Sequence, residues 1–114
     1  MANNTRFFDE FSRSIRLAVH TLAPARVVSY DAGNKEADIE LLFMTVYKDG
    51  STERYPLIES AICLKHVGAL SKDDIVFVGF AERALDNLQK EPFDPDASRL
   101  HDIRDAVVLG VIEL

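Results

Sequence analysis

The sequence predicts a mainly β domain, a small five-stranded barrel preceded by an N-terminal α-helix. Three observations predict it. The chain has 114 residues, which is the usual size of one domain with a single core. Its first part repeats apolar residues at helical spacing, and the remainder repeats them at the period of two typical of strands. Five strands in about 85 residues fit a closed barrel, whereas a sandwich usually needs about seven.

The N-terminal segment, residues 5–22, is predicted to be a helix. Its apolar residues recur at alternating three- and four-residue steps and so share one stripe; they are Phe8, Phe11, Ile15, Ala18 and Leu22. Pro24 is expected to end the helix, because a proline pushes the preceding residue out of helical backbone angles. A helix of about 18 residues is marginal alone in water. The stripe must therefore pack on its own domain or, since its steps match a short coiled coil, on another copy.

Five strands are predicted after Pro24. The first covers residues 26–30, and the second covers residues 36–47, alternating at first and then nearly continuously apolar. Asp49 and Gly50 predict a tight hairpin to a third strand over residues 53–64, which Pro56 interrupts. The fourth strand is residues 75–80. Residues 84–90 have weak helical character, and the fifth strand begins at residue 106, with Gly110 a candidate bulge.

This order of elements predicts an OB-type Greek-key barrel with a short helix between strands four and five. We expect two parts, a helical arm over residues 1–23 and the barrel over residues 24–114. No stretch resembles a signal peptide, and no apolar run approaches the roughly 20 residues that span a bilayer. Synthesis in a cytoplasm, without stable membrane insertion, is the expectation.

The charge of the chain is uneven. The net charge is -6, yet residues 1–26 carry four arginines against two carboxylates, so the acidity belongs to the remainder. An acidic barrel whose second strand exposes Glu36, Asp38 and Glu40 is a poor ligand for nucleic acid, because that affinity comes mainly from Lys and Arg. The single Cys63 excludes an internal disulfide and a multi-cysteine zinc site. Its apolar neighbours predict a buried small side chain.

The most site-like cluster lies just before the last strand and contains His101, Asp102 and Asp105. A metal-dependent hydrolase could use a His-Asp pair but needs further ligands, and neither His20 nor His66 has suitable spacing. The structural interpretation is that an aspartate caps a turn and that His101 hydrogen-bonds the backbone. We therefore predict no catalytic residue, no metal ligand and no cofactor.

Three stretches together resemble the N-terminal OB domain of phage central-spike proteins, the membrane-piercing device of contractile tail baseplates. They are residues 26–31 with 37–39, residues 76–83 with 85–88, and residues 99–106. The last contains a His-Asp-hydrophobic-x-Asp-Ala pattern like that of the family. The resemblance covers about residues 24–112. On this basis Asp86, His101, Asp102 and Asp105 are signature positions of the fold and imply no enzymatic activity.

The resemblance also implies a homotrimer around the tail axis, docked to a tail hub, within the baseplate of the virion. Longer members continue into a β-helical needle, whereas this chain stops at Leu114, so we expect a separate spike-tip protein to pierce. The arm stripe is the expected interface, because three copies could pack it around one axis. The function predicted is a non-enzymatic structural subunit. The alternatives are a stand-alone OB interaction or ligand-binding module and, more weakly, a metal hydrolase at His101 and Asp102.

Overall fold

The computed structural model describes residues 2–114, without the side chains of residues 2–4, 14, 15, 17 and 18. It begins with one long helix, α1 (Ala2–Ala18), followed by seven strands. These are β1 (Leu22–Asp31), β2 (Glu36–Leu41), β3 (Met44–Val46), β4 (Thr52–Arg54), β5 (Ile58–Cys63), β6 (Ile75–Phe80) and β7 (Ala106–Ile112). Two single turns of 3-10 helix, at Lys65–Val67 and Ile103–Asp105, lie before β6 and β7.

Five of the strands close into a barrel in the order β1-β2-β5-β7-β6, with β6 returning to β1. All contacts between neighbours are antiparallel except β5 with β7, which run parallel over Ile62↔Val107 and Cys63↔Val108. This order and its one parallel pair are those of the OB fold. The prediction of a mainly β five-stranded barrel with an N-terminal helix is confirmed.

The barrel interior is filled by aliphatic side chains that alternate along the strands. The largest fully buried ones come from four different strands: Ile39, Val27, Val76, Val78 and Val108. Alternation is clearest in β2, where every second residue from Ala37 is buried, because successive side chains of a strand point to opposite faces. The alternating pattern of the sequence therefore defines the core.

The helix is shorter than the sequence predicts and β1 is longer. The helix ends at Ala18, and β1 already begins at Leu22, so Leu22 is not on the helical stripe. Pro24 does not end a helix; it lies within β1, opposite Phe77 of β6. Its carbonyl accepts a hydrogen bond from Leu42 N at 3.0 Å, beyond the last β1–β2 pair. A proline is tolerated there because the position requires no ladder N–H.

The predicted second and third strands are each divided in two. The barrel uses only their outer parts, β2 and β5, while β3 and β4 form a separate two-stranded hairpin. Gly50 in its turn has φ 89°, as the Asp-Gly pair predicts. The segment 84–90 is a turn and not a helix, so the helical piece before the last strand is the single turn Ile103–Asp105. The bulge near Gly110 is present, since Phe77 pairs with Gly110 but Val78 pairs with Val108.

The helix and the hairpin leave the barrel at the same end. The register places Leu22 beside Gly79, Ala25 beside Leu41, and Phe80 beside Ala106. The start of β1 and the ends of β2 and β6 therefore share one end, which we call the arm end. The radius of gyration of 16.9 Å exceeds the roughly 13 Å expected for a compact chain of this length. The helix accordingly projects from the barrel as an arm.

Candidate assembly surface

Two of the four predicted signature residues, Asp86 and Asp105, meet at Arg99 in one ionic cluster, which we call the clasp. Arg99 donates two hydrogen bonds to Asp105, from Nε to Oδ2 at 2.9 Å and from Nη2 to Oδ1 at 2.8 Å. Its Nη2 also reaches Asp86 Oδ1 at 3.0 Å. Asp105 is only 3% exposed, so its charge is removed from water and matched by the guanidinium.

The clasp holds the long segment between β6 and β7 against the arm end. Asp105 Oδ1 accepts a third hydrogen bond, from Leu85 N at 3.2 Å, and Ala81 N donates to the Asp105 carbonyl at 3.0 Å. The hydrogen bonds from Arg99 hold the pKa of Asp105 below its ordinary value. This carboxylate therefore organises both ends of the segment, which is a structural use of its charge.

His101 and Asp102 contribute to the same turn. Asp102 caps the Ile103–Asp105 turn by accepting from Arg104 N at 2.8 Å, and the Arg104 side chain donates to both of its oxygens. These bonds, led by those from the Arg104 side chain, lower the pKa of Asp102 to about 2. His101 adopts φ 48° and donates its backbone N–H to the Ala81 carbonyl at 3.1 Å. Its ring Nδ1 is buried without a hydrogen-bond partner within the described part of the chain.

The clasp does not extend into a metal site. Among the side chains that the structure describes, no three of His, Cys, Asp and Glu are grouped so as to hold a metal ion. The other two histidines have contacts of their own. The His20 ring lies against Tyr55 and Phe80, and His66 Nε2 lies 3.0 Å from the Leu109 carbonyl. Within residues 2–114, no helix has the length and apolar content to cross a membrane.

The arm exposes a cluster of aromatic rings. Phe8 is 65% exposed and Phe11 is 57% exposed, so neither packs on the barrel of its own chain. Phe7, which the predicted stripe omits, stacks on Phe11 with ring centroids 6.2 Å apart and meets Phe8 edge-on at 5.6 Å. The signal for Phe7 is its spacing of four residues from Phe11, which brings the two onto one helical face. Ile15 and Ala18, also predicted for this interface, lie outside the described side chains.

Leu22, the last predicted member of the stripe, belongs to the barrel surface. Its Cδ2 and Leu109 Cδ1 lie over Gly79, where a Cβ would come within 3.5 Å of Leu22 and 3.2 Å of Leu109. Gly79 thus leaves room for two leucines outside the barrel. The arm surface described by the structure consists of Phe7, Phe8 and Phe11.

A second apolar surface lies on the β3–β4 hairpin and was not singled out by the sequence. Its exposed large side chains are Leu42, Phe43, Met44, Val46 and Tyr47. Arg54 Nη1 ties the hairpin to Glu40 of β2 at 3.4 Å, and Glu40 also accepts from Arg26 at 2.9 Å. The sequence signal was the continuous apolar run that replaces alternation after Leu41. We call these five residues the hairpin surface.

Comparison with family models identifies the barrel. Residues 23–110 match the model described as the phage protein Gp138 N-terminal domain. The chain belongs to this family. The expected relationship to the OB domain of a phage baseplate spike protein is confirmed, and membership indicates a phage structural protein and a component of the virion. No curated protein matches the chain.

The match covers the barrel of this Gp138 N-terminal domain and excludes the arm. It begins at residue 23, one residue after β1 starts, and ends within β7. All three residues of the clasp lie inside it, whereas the rings of Phe7, Phe8 and Phe11 lie outside. The clasp therefore lies within the matched domain, and the arm surface lies outside the match.

Proposed function

We propose that this chain is a structural subunit of a phage tail baseplate, a trimeric OB-fold collar or central spike subunit at the tail tip that links the tail hub to the piercing tip. The observation that carries the proposal is the family match over residues 23–110, which coincides with a closed barrel. The partners proposed are two further copies of the chain, the hub protein and a separate spike-tip protein.

The chemistry of the barrel supports a structural role. Asp102 and Asp105 are the carboxylates of the cluster that most resembles an active site. Each is bound by an arginine side chain and by a backbone N–H. Their low pKa values keep them ionised at neutral pH, so they are poor general acids and weak general bases. They stabilise the turn that leads into β7.

The exposed rings of the arm support assembly. Large apolar side chains that are exposed to water in one copy stabilise a complex in which they become buried. Phe7, Phe8 and Phe11 lie on one helical face, and each copy in a closed ring offers the same face once. The trimer is accordingly proposed to form through the arms.

The mass of the purified protein tests the trimer. Sedimentation equilibrium or native mass spectrometry is expected to give three chains at micromolar concentration. Phe11→Asp should reduce that mass to one chain while the barrel stays folded. Ser12→Asp places the same charge on a neighbouring exposed position of the arm and should leave the mass unchanged. A wild-type protein that stays monomeric at high concentration would refute the trimer.

The location in the baseplate requires tail particles. Antibodies against this chain should label the tip of negatively stained tails, and chemical cross-linking within the particle should join the chain to the hub protein. Labelling along the tail tube, or at the head, would contradict the collar.

A further inference from the structure

The arm is joined to the barrel by a short irregular segment, residues 19–21, which we call the elbow. The helix ends at Ala18 and β1 begins at Leu22. Thr21 is already fixed to the barrel, because its carbonyl accepts a hydrogen bond from Phe80 N at 3.1 Å. The direction of the arm therefore depends mainly on the backbone angles of the two elbow residues before Thr21.

The helix side chains that the structure describes do little to fix that direction. Those of residues 5–13 and of Arg16 are all exposed, and Phe11 is 57% exposed. The ion pair from Arg6 to Glu10, at 3.3 Å, lies within the helix. Exposed side chains give the helix few contacts that would resist a swing about its root. The elbow is therefore the place where the direction of the arm can be set.

The side chain of His20 connects the elbow to the barrel. Its ring lies against the rings of Tyr55 and Phe80, with centroids 5.7 Å apart in both pairs and interplanar angles of 83° and 61°. Edge-on arrangements of this kind are favourable between aromatic rings. Val19, the residue before it, is 45% exposed. The imidazole is thus held by two rings that both belong to the barrel end of the molecule.

Both rings that contact His20 are anchored on the core. Phe80 is the last residue of β6, is 8% exposed and belongs to the core cluster. Tyr55 follows β4 directly and packs against the same cluster. Two ring contacts are comparable in free energy to the conformational entropy lost when two residues are fixed. They are therefore sufficient to favour one conformation of the elbow.

The length of the arm amplifies any change at the elbow. At a rise of 1.5 Å per residue, Phe11 lies roughly 10 Å and Phe8 roughly 15 Å along the helix from Ala18. A swing of about 30° would move these rings by roughly 5–8 Å, which is about the width of a side chain. Assembly through the arms needs these rings in a defined place, and orienting them beforehand lowers the entropy lost on binding.

We propose that His20 is a positioning residue that fixes the direction in which the arm leaves the barrel. Its role in assembly rests on the proposed trimer through the arms, and it explains how each copy presents the arm surface already oriented. The ring contacts themselves lie within one copy. The direction of the arm can therefore be measured separately from the oligomeric state.

Distances between pairs of spin labels on the full chain test the elbow. One label is attached to the arm at Ser12→Cys, and the second to the barrel at Glu59→Cys or Val111→Cys, all at exposed positions. Two barrel positions make the measurement sensitive to the direction of a swing. Cys63→Ala removes the native thiol. Phe11→Asp removes assembly through the arms, and an excess of unlabelled chain removes distances between copies.

The unchanged elbow should give one narrow distance distribution from each barrel position. His20→Ala should broaden both by about 5 Å or more, as for a swing of about 30°. His20→Phe keeps a ring at this place and should stay narrow, and so should Val19→Ala, the matched control in the same elbow. Circular dichroism establishes folding, and His20→Gln replaces His20→Ala if that variant does not fold. A broad distribution for the unchanged elbow, or a narrow one for His20→Ala, would overturn the proposal.

The mass of the protein with Phe11 intact tests what the elbow contributes to assembly. His20→Ala should raise the concentration at which half of the trimer dissociates by about tenfold, because a loosely held arm loses more freedom on binding. His20→Phe and Val19→Ala should leave that concentration unchanged. A His20→Ala trimer as stable as the wild type would overturn the role in assembly. A monomeric wild type would instead overturn the trimer, and the distances would still decide whether His20 fixes the arm.

Discussion

The barrel and its arm end differ in how far their side chains are buried and paired within one copy. Inside the barrel, fully buried aliphatics such as Ile39 and Val78 pack on one another. In the turn that leads into β7, the buried Asp105 has Arg99 and a backbone N–H as partners. At the arm end, Phe8 and Val46 are largely in water. The first region stabilises one copy, whereas the second contributes little within one copy and is the region that we propose for assembly. Substitutions in the two regions should therefore have separable effects.

The largest effect on stability is expected for Asp105→Asn. The change leaves Arg99, whose side chain is 16% exposed, without its main counter-charge, and breaking a buried pair typically costs about 3–5 kcal/mol. Urea unfolding should show a loss of about 3 kcal/mol. Asp86→Asn removes the other partner of the same guanidinium, but Asp86 is mostly exposed, so a loss below about 1 kcal/mol is expected. Equal losses for the two variants would contradict the burial argument.

A smaller effect is expected for Asp38→Ala. Asp38 accepts from Ser29 Oγ at 2.8 Å and from Ser60 N at 2.9 Å, and so joins β2 to irregular positions in both neighbouring strands. Ser60 has φ 57°, a conformation that most residues avoid. Loss of these bonds should cost about 1–2 kcal/mol in thermal or urea unfolding. Glu36→Ala, on the same strand, is the control and should change stability by less than about 0.5 kcal/mol.

Acid should weaken the barrel through the clasp and its neighbouring cap. Asp102, with its pKa lowered to about 2, and Asp105, with its pKa also lowered, bind protons less readily when folded than when unfolded. Their contribution is therefore complete above about pH 4 and is lost as the pH falls toward 2. Urea midpoints measured between pH 6 and pH 2.5 should decline below pH 4. Asp102→Asn should make this decline shallower, and a flat wild-type profile would refute the role of both carboxylates.

The smallest effect is expected at the arm end once assembly has been removed. In a Phe11→Asp background, adding Val46→Asp should shift the free energy of unfolding by less than about 0.5 kcal/mol, because Val46 is exposed in one copy. Urea unfolding of the single and double variants measures the difference. A loss above about 1 kcal/mol would show that the hairpin supports the barrel within its own chain.

Much of the barrel could be predicted because its strands follow the local alternation of buried and exposed residues. Alternating residues in β2 and the apolar β6 fix which side chains face inward, and the turn at Gly50 fixes a hairpin. The helix boundary could not be predicted in the same way. Leu22 continues the helical stripe by spacing, yet pairing with Gly79 in β6 decides its conformation. That contact is between residues distant in sequence, so local pattern does not contain it.

The candidate surfaces were predictable to different extents. Arg99 and Asp105 both belong to the stretch of residues 99–106 that resembles the family. Their meeting with Asp86 depends on the course of a long segment without regular structure, so local pattern does not predict it. The aromatic spacing of Phe7 and Phe11 was visible in the sequence. The hairpin surface lay within a single long predicted strand. A continuous apolar run gives the same pattern whether the strand continues in the barrel or leaves it after Leu41, so the sequence did not distinguish the two.

The parallel contact of β5 with β7 has a consequence for the order of folding. Only two residue pairs join these strands, at Ile62 and Cys63, whereas β1 pairs with β2 and β6 pairs with β7 over six each. The two residues of each β5–β7 pair are 45 positions apart in the sequence. Pairing β5 with β7 therefore closes a long loop, which costs chain entropy, and gains few hydrogen bonds. We expect it to form last and to open first. Amide exchange should be faster at Cys63 and Leu64 than at Val76 or Val78, because the barrel would open transiently between β5 and β7.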